Sequence, residues 1–179
     1  MRVSDKKLTL LTGTSGSGKT TFLLKELSAA SSFVGVITPG VYEDGEKVGV
    51  EAWLLSGAPE PKERFILARR RDLAIDIPAD DTGLGWVFDP EAIKRVNDHL
   101  RSNLTSEDLS PVSKENDSRL VIDEIGPLEL TSNKGFTAAL ELLDEALYPN
   151  VMVVIRPSLL DIARSRWQDI YDTIEILEV

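Results

Sequence analysis

A glycine-rich segment near the start of the sequence has the residue types and spacing of a phosphate-binding loop. Residues 13–20 match the pattern G-x-x-x-x-G-K-[ST] at every fixed position. Glycines let the backbone turn tightly and direct successive N–H groups toward phosphate oxygens. The Lys19 ammonium would bind the β- and γ-phosphates, and the Thr20 hydroxyl would ligate Mg²⁺. The predicted phosphate-binding residues are Gly13, Thr14, Ser15, Gly16, Ser17, Gly18, Lys19, Thr20 and Thr21.

Two carboxylates, Asp123 and Glu124, follow an apolar run at 120–122 in the pattern of a Walker B strand. Asp123 would hold Mg²⁺ through its water shell, together with Thr20. Glu124 would orient or deprotonate a water that attacks the γ-phosphate, so Lys19 and Glu124 are the predicted catalytic residues. An apolar run followed by two acids also occurs where a strand simply meets solvent. Its pairing with a phosphate-binding loop favours the functional interpretation.

Four arginines are candidates for an arginine finger, which stabilises transition-state charge on a phosphoryl group. Arg69, Arg70 and Arg71 form the densest basic cluster, but exposed charge runs more often pair with local acids on the surface. Arg156 ends an apolar strand, and ligands of open α/β sheets bind beyond the carboxyl ends of strands. Tyr42 is the aromatic residue we would test for stacking on a base. We predict that the tryptophans pack in the protein and that His99 is structural or on the surface.

Composition limits the remaining chemistry. Thirty acidic and twenty basic residues give a net charge of −10, which argues against nucleic-acid and anionic membrane partners. With no cysteine and one histidine, the chain lacks thiolate zinc sites, disulfides and a histidine-based metal cage. Its apolar runs fall far short of the roughly 20 residues that cross a bilayer. The polar start is not a signal peptide, so we expect a cytoplasmic protein.

Hydrophobic patterning predicts alternating strands and helices, and therefore an α/β fold with a mostly parallel sheet covered on both faces. Helices are expected at 19–30, 90–104, 136–147 and 158–167, and strands at 8–12, 33–37, 48–55, 65–68, 120–122, 151–155 and 174–179. A turn at 43–46 predicts a small β-hairpin, and residues 105–118 are predicted to form a surface loop. Asp89 is a predicted helix cap, and Ser158 a predicted capping-box residue. One domain, 1–179, is predicted.

Three segments in order, at 13–21, 35–57 and 121–130, resemble the thermophile-type nucleoside-triphosphatase family. The third segment, Val-Ile-Asp-Glu-Ile-Gly-Pro-Leu-Glu-Leu, is far longer than a generic Walker B pattern. The resemblance implies a three-layer P-loop NTPase fold with a RecA-like or kinase-like sheet. It implies slow, Mg²⁺-dependent hydrolysis of ATP, GTP and other nucleoside triphosphates to diphosphate and phosphate. The chain departs from the family pattern at Gly40, Tyr42, Lys47 and Arg156, where relatives commonly have acidic, arginine, arginine and histidine residues.

Three functions fit the sequence. The first is a nucleoside-triphosphate phosphohydrolase with water as acceptor, and the second is a kinase for a nucleoside, nucleotide or other small molecule. The third is an accessory nucleotide-binding module that reports to a partner protein. Glu124 next to Asp123 favours hydrolysis, because a second carboxylate is suited to orienting water. The loop at 105–118 contains no arginine, which argues against its being the basic lid of a kinase, and the Arg69–Arg71 segment is the alternative lid.

Overall fold

The protein is described here from a computed structural model that covers residues 5–29, 32–58, 60–75, 85–105 and 118–179, without the side chains of 103–105 and 118. The strands in these residues are β1 (Lys7–Thr12), β2 (Ser32–Ile37), β3 (Gly40–Glu43), β4 (Glu46–Ser56), β5 (Glu63–Arg70), β6 (Trp86–Phe88), β7 (Ser118–Ile125), β8 (Asn150–Ile155) and β9 (Thr173–Glu178). The helices are α1 (Lys19–Ala29), α2 (Pro90–Thr105), α3 (Pro127–Ser132), α4 (Thr137–Glu145) and α5 (Leu160–Trp167). Each predicted helix and strand is present. Most of the predicted loop at 105–118 lies outside the described residues.

All the described strands form one mixed sheet in the order β6-β5-β4-β2-β7-β8-β1-β9, with β3 paired to β4. Strands β2, β7, β8, β1 and β9 are parallel, and β3 to β6 pair antiparallel. The α/β prediction is confirmed. The antiparallel part is larger than a small hairpin insertion, because β4 pairs with both β2 and β5 and so continues the same sheet.

Helices cover both faces of the sheet. Along β7, Leu120 and Ile122 face a core shared with α2, α4 and α5, whereas Val121 faces the opposite core beneath α1. Leu23 and Leu27 of α1 are buried in that second core. A strand that is buried on both faces needs apolar residues at consecutive positions, which explains the uninterrupted apolar runs in the sequence. Among the described residues, no helix is long and apolar enough to cross a membrane.

The parallel strands bring distant segments to one edge of the sheet. Strands β1, β2, β7 and β8 run in the same direction and end at Thr12, Ile37, Ile125 and Ile155. Because parallel strands place their carboxyl ends along a common edge, the residues that follow these positions are neighbours in space. The glycine-rich loop, Thr38, the acidic pair and Arg156 all lie at this edge.

The predictions at two helix starts had different outcomes. Asp89 caps α2 as predicted, with its Oδ1 accepting a hydrogen bond of 2.9 Å from the Glu91 N–H. The capping box at Ser158 is wrong. Pro157 begins a 3₁₀ turn over Pro157–Leu159, so Ser158 lies inside a helical turn, and α5 begins at Leu160 with no side-chain cap. Proline fixes φ near −65°, which suits the first position of such a turn.

Replacing Gly35 with alanine is expected to destabilise the protein by about 3 kcal/mol or more. Gly35 lies in β2 with φ of 133°, and a Cβ there would come within 1.9 Å of the Val121 carbonyl oxygen on β7. The substitution therefore combines backbone strain with a clash against main chain that cannot move aside. Denaturant unfolding measures the loss. Gly126→Ala is the control, since its Cβ would meet nothing closer than 3.6 Å; equal losses for the two variants would contradict the prediction.

Candidate active site

The glycine-rich segment forms a tight loop between β1 and α1, as the sequence predicts. Gly13, Gly16 and Gly18 all have positive φ, at 154°, 78° and 97°. At Gly13 space is also limiting, because a Cβ would come within 2.6 Å of the Ser17 Oγ. The Ser17 hydroxyl is buried and has no hydrogen-bond partner in the described structure. A buried hydroxyl without a partner inside a loop of this shape is suited to a phosphate oxygen.

Lys19, the first residue of α1, folds back over the loop. Its Nζ donates hydrogen bonds of 2.9 Å to the Gly13 carbonyl and 2.7 Å to the Thr14 carbonyl. An ammonium group has three N–H donors, and within the described residues these two carbonyls are the hydrogen-bond partners of Nζ. The charge is thus held at the loop by backbone groups, and one donor remains for a ligand. The N-terminus of α1 adds its positive dipole end at the same place.

Thr20 and Asp123 are in contact although they are 103 positions apart in the sequence. The Thr20 hydroxyl donates a hydrogen bond of 3.1 Å to Asp123 Oδ2. Strand β8 lies between β1 and β7, so this contact spans the width of one intervening strand. The predicted pair of Mg²⁺ ligands therefore lies together in the folded chain.

Thr38 is a site residue for which the motifs predict no role. Its backbone N–H donates to Asp123 Oδ2 at 3.0 Å, and its hydroxyl donates to the Asp123 carbonyl oxygen at 3.1 Å. These contacts fix both the side chain and the main chain of Asp123. Its position in the sequence could have indicated a role, because Thr38 directly follows a predicted apolar strand and so falls at the same sheet edge.

Asp123 is almost fully buried, with 3% of its surface exposed. Burial raises the pKa of this carboxyl above its ordinary value, and the hydrogen bonds from Thr38 and Thr20 partly oppose the shift. Burial makes the ionised form of this carboxylate unfavourable, and a nearby positive charge stabilises that form. Asp123 is therefore well suited to bind a cation.

The donor set fits Mg²⁺. Thr20 and Asp123 present oxygen atoms only, which are the ligands that this hard cation prefers. The described residues contain no group of three or more His, Cys, Asp or Glu side chains that could hold a metal by themselves. Mg²⁺ is commonly bound through one or two protein oxygens, with water and substrate phosphates completing the octahedron.

Asp123→Asn is expected to stabilise the protein when nucleotide and divalent metal are absent, raising Tm by at least about 2 °C at neutral pH. Because the folded-state pKa of Asp123 is raised, wild type loses stability as pH rises from the ordinary value of 3.8 through the folded-state pKa. The difference in Tm between Asp123→Asn and wild type should therefore be small at acidic pH and increase toward neutral pH. Thermal melts in EDTA measure it, with the exposed Asp161→Asn as control; a pH-independent gap would contradict this.

Glu124 has an unusual backbone. We predicted the acidic pair at the end of a strand, and β7 in fact continues to Ile125, with its pairing to β8 interrupted between Ile122 and Ile125. Within this irregularity Glu124 has φ of 74°, a left-handed conformation that costs a residue with a Cβ about 1 kcal/mol or more. Such irregularities re-aim side chains. Both Asp123 and Glu124 line one cavity as a result.

This cavity, of about 110 Å³, lies where the parallel and antiparallel parts of the sheet meet. Its polar lining residues are Thr38, Lys47, Asp123, Glu124, Glu129 and Arg156. Its apolar wall includes Val50, Leu67, Phe88, Leu128 and Phe136. The cavity therefore places the Asp123 and Glu124 carboxylates next to a partly apolar space.

Arg156 forms an ion pair with Glu124. The arginine Nε donates a hydrogen bond of 2.7 Å to Glu124 Oε1. In contrast, Arg70 pairs with Asp72 and Glu46 at 2.7 and 2.8 Å, and none of Arg69, Arg70 and Arg71 lines the cavity. The surface interpretation of the triple-arginine cluster is therefore favoured, and Arg156 is the arginine that the fold brings to the acidic pair.

Glu129 explains part of the long motif after the acidic pair. Its buried carboxylate accepts hydrogen bonds of 2.9 Å from the N–H groups of Gly126 and Phe136. Burial raises the pKa of Glu129. Pro127 begins α3, which confirms that the chain leaves the strand there, and Glu129 then ties both ends of this turn together. Its role is structural, and it holds one wall of the cavity in place.

The remaining predicted residues fall outside the site. His99 is partly buried with Nε2 2.9 Å from the Leu55 carbonyl oxygen, and burial lowers its pKa, so the structural interpretation holds. Trp167 is fully buried, as expected for a packing residue. Tyr42 is 64% exposed on β3, and its stacking on a base stays a prediction.

The fold and the site together define a class. A glycine-rich loop that joins β1 to α1 and faces an acidic strand across a mixed α/β sheet is the arrangement of a P-loop nucleoside triphosphatase fold. The fold-class prediction and the resemblance drawn from the motifs are thus confirmed at the level of fold.

Solved structures of this class are similar to the chain over nearly its whole length. The crystal structure of THEP1 from the hyperthermophile Aquifex aeolicus has a TM-score of 0.62 at 16% identity, covering 96% of this chain and 88% of that one. The solution structure of a human cancer-related nucleoside triphosphatase has a TM-score of 0.61 at 24% identity, covering 97% and 88%. No protein-family model matches the sequence, and a comparison with curated proteins finds no match. At these identities the similarity shows the fold.

Proposed function

We propose that this chain is a Mg²⁺-dependent phosphohydrolase of nucleoside 5'-triphosphates and a member of the thermophile-type nucleoside-triphosphatase family. The observation that carries the proposal is the hydrogen bond between Thr20 and Asp123, which joins the phosphate-binding loop to the acidic strand end. Asp123 and Glu124 line the same cavity. One of the two structural neighbours, the human protein, is a nucleoside triphosphatase by name, which supports the same reaction class.

In this proposal the loop amides and Lys19 bind the β- and γ-phosphates. Thr20 and Asp123 would hold Mg²⁺, which would supply positive charge to neutralise the phosphates. Glu124 orients a water from the cavity side and accepts its proton as the water oxygen attacks the γ-phosphorus. The bond from that phosphorus to the β,γ-bridging oxygen breaks, and the products are a nucleoside diphosphate and phosphate. The loop contacts only the triphosphate, so we expect broad tolerance of the base.

A kinase is the second candidate, and the cavity is the observation that favours it. An acceptor alcohol placed against Val50, Phe88 and Phe136 would have its hydroxyl near Glu124. The same carboxylate would then accept the proton of the alcohol in place of a water proton. The small volume of about 110 Å³ favours water or a compact acceptor over a nucleoside.

Steady-state phosphate release from ATP, GTP, CTP and UTP, with Mg²⁺ and with EDTA, tests the proposal. We expect turnover of all four with Mg²⁺ and none with EDTA, and nucleotide binding that weakens strongly in EDTA. Transfer of labelled γ-phosphate to a panel of nucleosides and nucleotides tests the second candidate. Transfer that greatly exceeds phosphate release would favour the kinase, and tight ATP binding unchanged by EDTA would contradict the Mg²⁺ assignment.

A further inference from the structure

Arg156 lies immediately after β8, and its contact with Glu124 is built into the strand register. Pairing between β7 and β8 resumes at Ile125 and Ile155. Glu124 directly precedes one member of this pair, and Arg156 directly follows the other. The left-handed backbone of Glu124 carries its carboxylate to the arginine, where Nε donates a hydrogen bond of 2.7 Å to Oε1.

The main chain at Arg156 is firmly anchored. Ile155 is fully buried, and the Arg156 carbonyl accepts a hydrogen bond of 2.9 Å from the Leu159 N–H. Pro157 follows directly and begins the 3₁₀ turn. The side chains of Arg156 and Glu124 are themselves half exposed, at 53% and 43%. Ion pairs at such exposure add little to stability, so stabilising the fold does not account for this one. An anchored main chain with a solvated side chain suits a residue that orients another side chain.

The ion pair uses only part of the guanidinium. Arginine carries five N–H donors in a fixed planar fork, and Nε supplies the described contact to Glu124. The side chain also lines the cavity together with Thr38 and Asp123. Without a partner, a half-exposed glutamate would sample several rotamers, and only some of these would present its carboxylate to a water in the cavity.

We propose that Arg156 is a positioning residue for the proposed hydrolysis, which acts by holding the Glu124 carboxylate in the orientation that accepts the proton of the attacking water. The inference rests on the function proposed above. It assigns Arg156 a role through Glu124, in contrast to an arginine finger that contacts the γ-phosphate directly. Loss of the guanidinium should therefore lower kcat and leave KM nearly unchanged.

A double-mutant cycle with Glu124 tests the assignment. Arg156→Ala is expected to lower kcat about tenfold or more with KM changed less than about threefold, and Arg156→Lys to recover most of kcat, since an ammonium can also pair with the carboxylate. In a Glu124→Gln background, with enzyme in excess over ATP, Arg156→Ala should change the rate by less than about twofold, because the side chain that Arg156 orients can no longer accept a proton.

Arg101→Ala is the matched control. It breaks a comparably exposed ion pair with Glu141 at 2.8 Å, outside the cavity, and should leave kcat unchanged. Equal fold-losses from Arg156→Ala in both backgrounds would overturn the positioning role and indicate direct action on the phosphate. An unchanged kcat in Arg156→Ala would also overturn the positioning role. In that case, if wild type hydrolysed ATP and Lys19→Ala did not, the proposed function would still stand. Wild type without turnover would overturn both.

Discussion

Glu124→Gln is expected to lower kcat for nucleoside-triphosphate hydrolysis by about 10²- to 10⁴-fold, the usual contribution of a positioned general base. Glutamine has nearly the same shape, and its Oε1 can still accept the hydrogen bond from the Arg156 Nε. It cannot accept a proton from water. The phosphate-binding loop is untouched, so the Kd for ATP with Mg²⁺ should stay within about threefold of wild type.

Phosphate release under single-turnover conditions and nucleotide titration measure these two quantities separately. Glu141→Gln is the matched control, since it removes a glutamate charge from an exposed ion pair with Arg101 and should have no effect on turnover. Hydrolysis by Glu124→Gln at the wild-type rate would show that Glu124 is not the base. Loss of nucleotide binding in the variant would instead place Glu124 in the binding site.

Lys19→Ala is expected to lower kcat/KM by about 10²- to 10³-fold, the scale seen when one preorganised charge-stabilising group is removed. Unlike Glu124, Lys19 would contact the β- and γ-phosphates in both the ground state and the transition state. Affinity and turnover should therefore fall together. The Lys19 Nζ now bonds the Gly13 and Thr14 carbonyls, so a small change in loop order is also expected.

Lys25→Ala provides the control, because Lys25 is exposed on the same helix, α1, and carries the same charge. It should leave both affinity and turnover at wild-type values. ATP titration and steady-state phosphate release measure the two effects. If Lys19→Ala retained full activity, the hydrolysis would come from another site or from a contaminant, and the assignment of the loop would be wrong.

The phosphate-binding loop and the acidic pair could be predicted from the sequence as parts of one site because both motifs are local. The glycine spacing of residues 13–20 fixes the turn, and an apolar run with two acids fixes a strand end. Parallel strands then bring the two motifs to one edge. These features predict Thr20 and Asp123 as ligands of one Mg²⁺ ion, and the hydrogen bond between them shows that the two side chains lie together.

The conformation of Glu124 and its partner could not be predicted in the same way. Both depend on the interrupted register between β7 and β8, which joins residues that are 32 positions apart. Residue types indicate where a strand ends, but they do not indicate which backbone angles a bulge imposes. For the same reason Arg156 could be named as a candidate and not assigned a contact.

The antiparallel part of the sheet shows a different limit. The apolar content of 48–55 and 65–68 predicts strands, and the turn at 43–46 predicts a hairpin, but these patterns do not indicate which edge of the sheet the strands join. Pairing of β4 with β2 extends the sheet and creates the apolar wall of the cavity beside Glu124. Thr38, Lys47 and Phe88 therefore became neighbours of the acidic pair only in the folded structure.

The most direct test of the central claim is hydrolysis of ATP in water enriched in ¹⁸O, with Mg²⁺ present and no added acceptor. Attack of water on the γ-phosphorus places one ¹⁸O atom in the released phosphate and none in ADP, and the isotope shift in ³¹P NMR distinguishes the two products. We predict label in phosphate alone, at a rate that depends on Lys19 and Glu124. Label in ADP, or no phosphate release above that of Lys19→Ala, would contradict the proposed function.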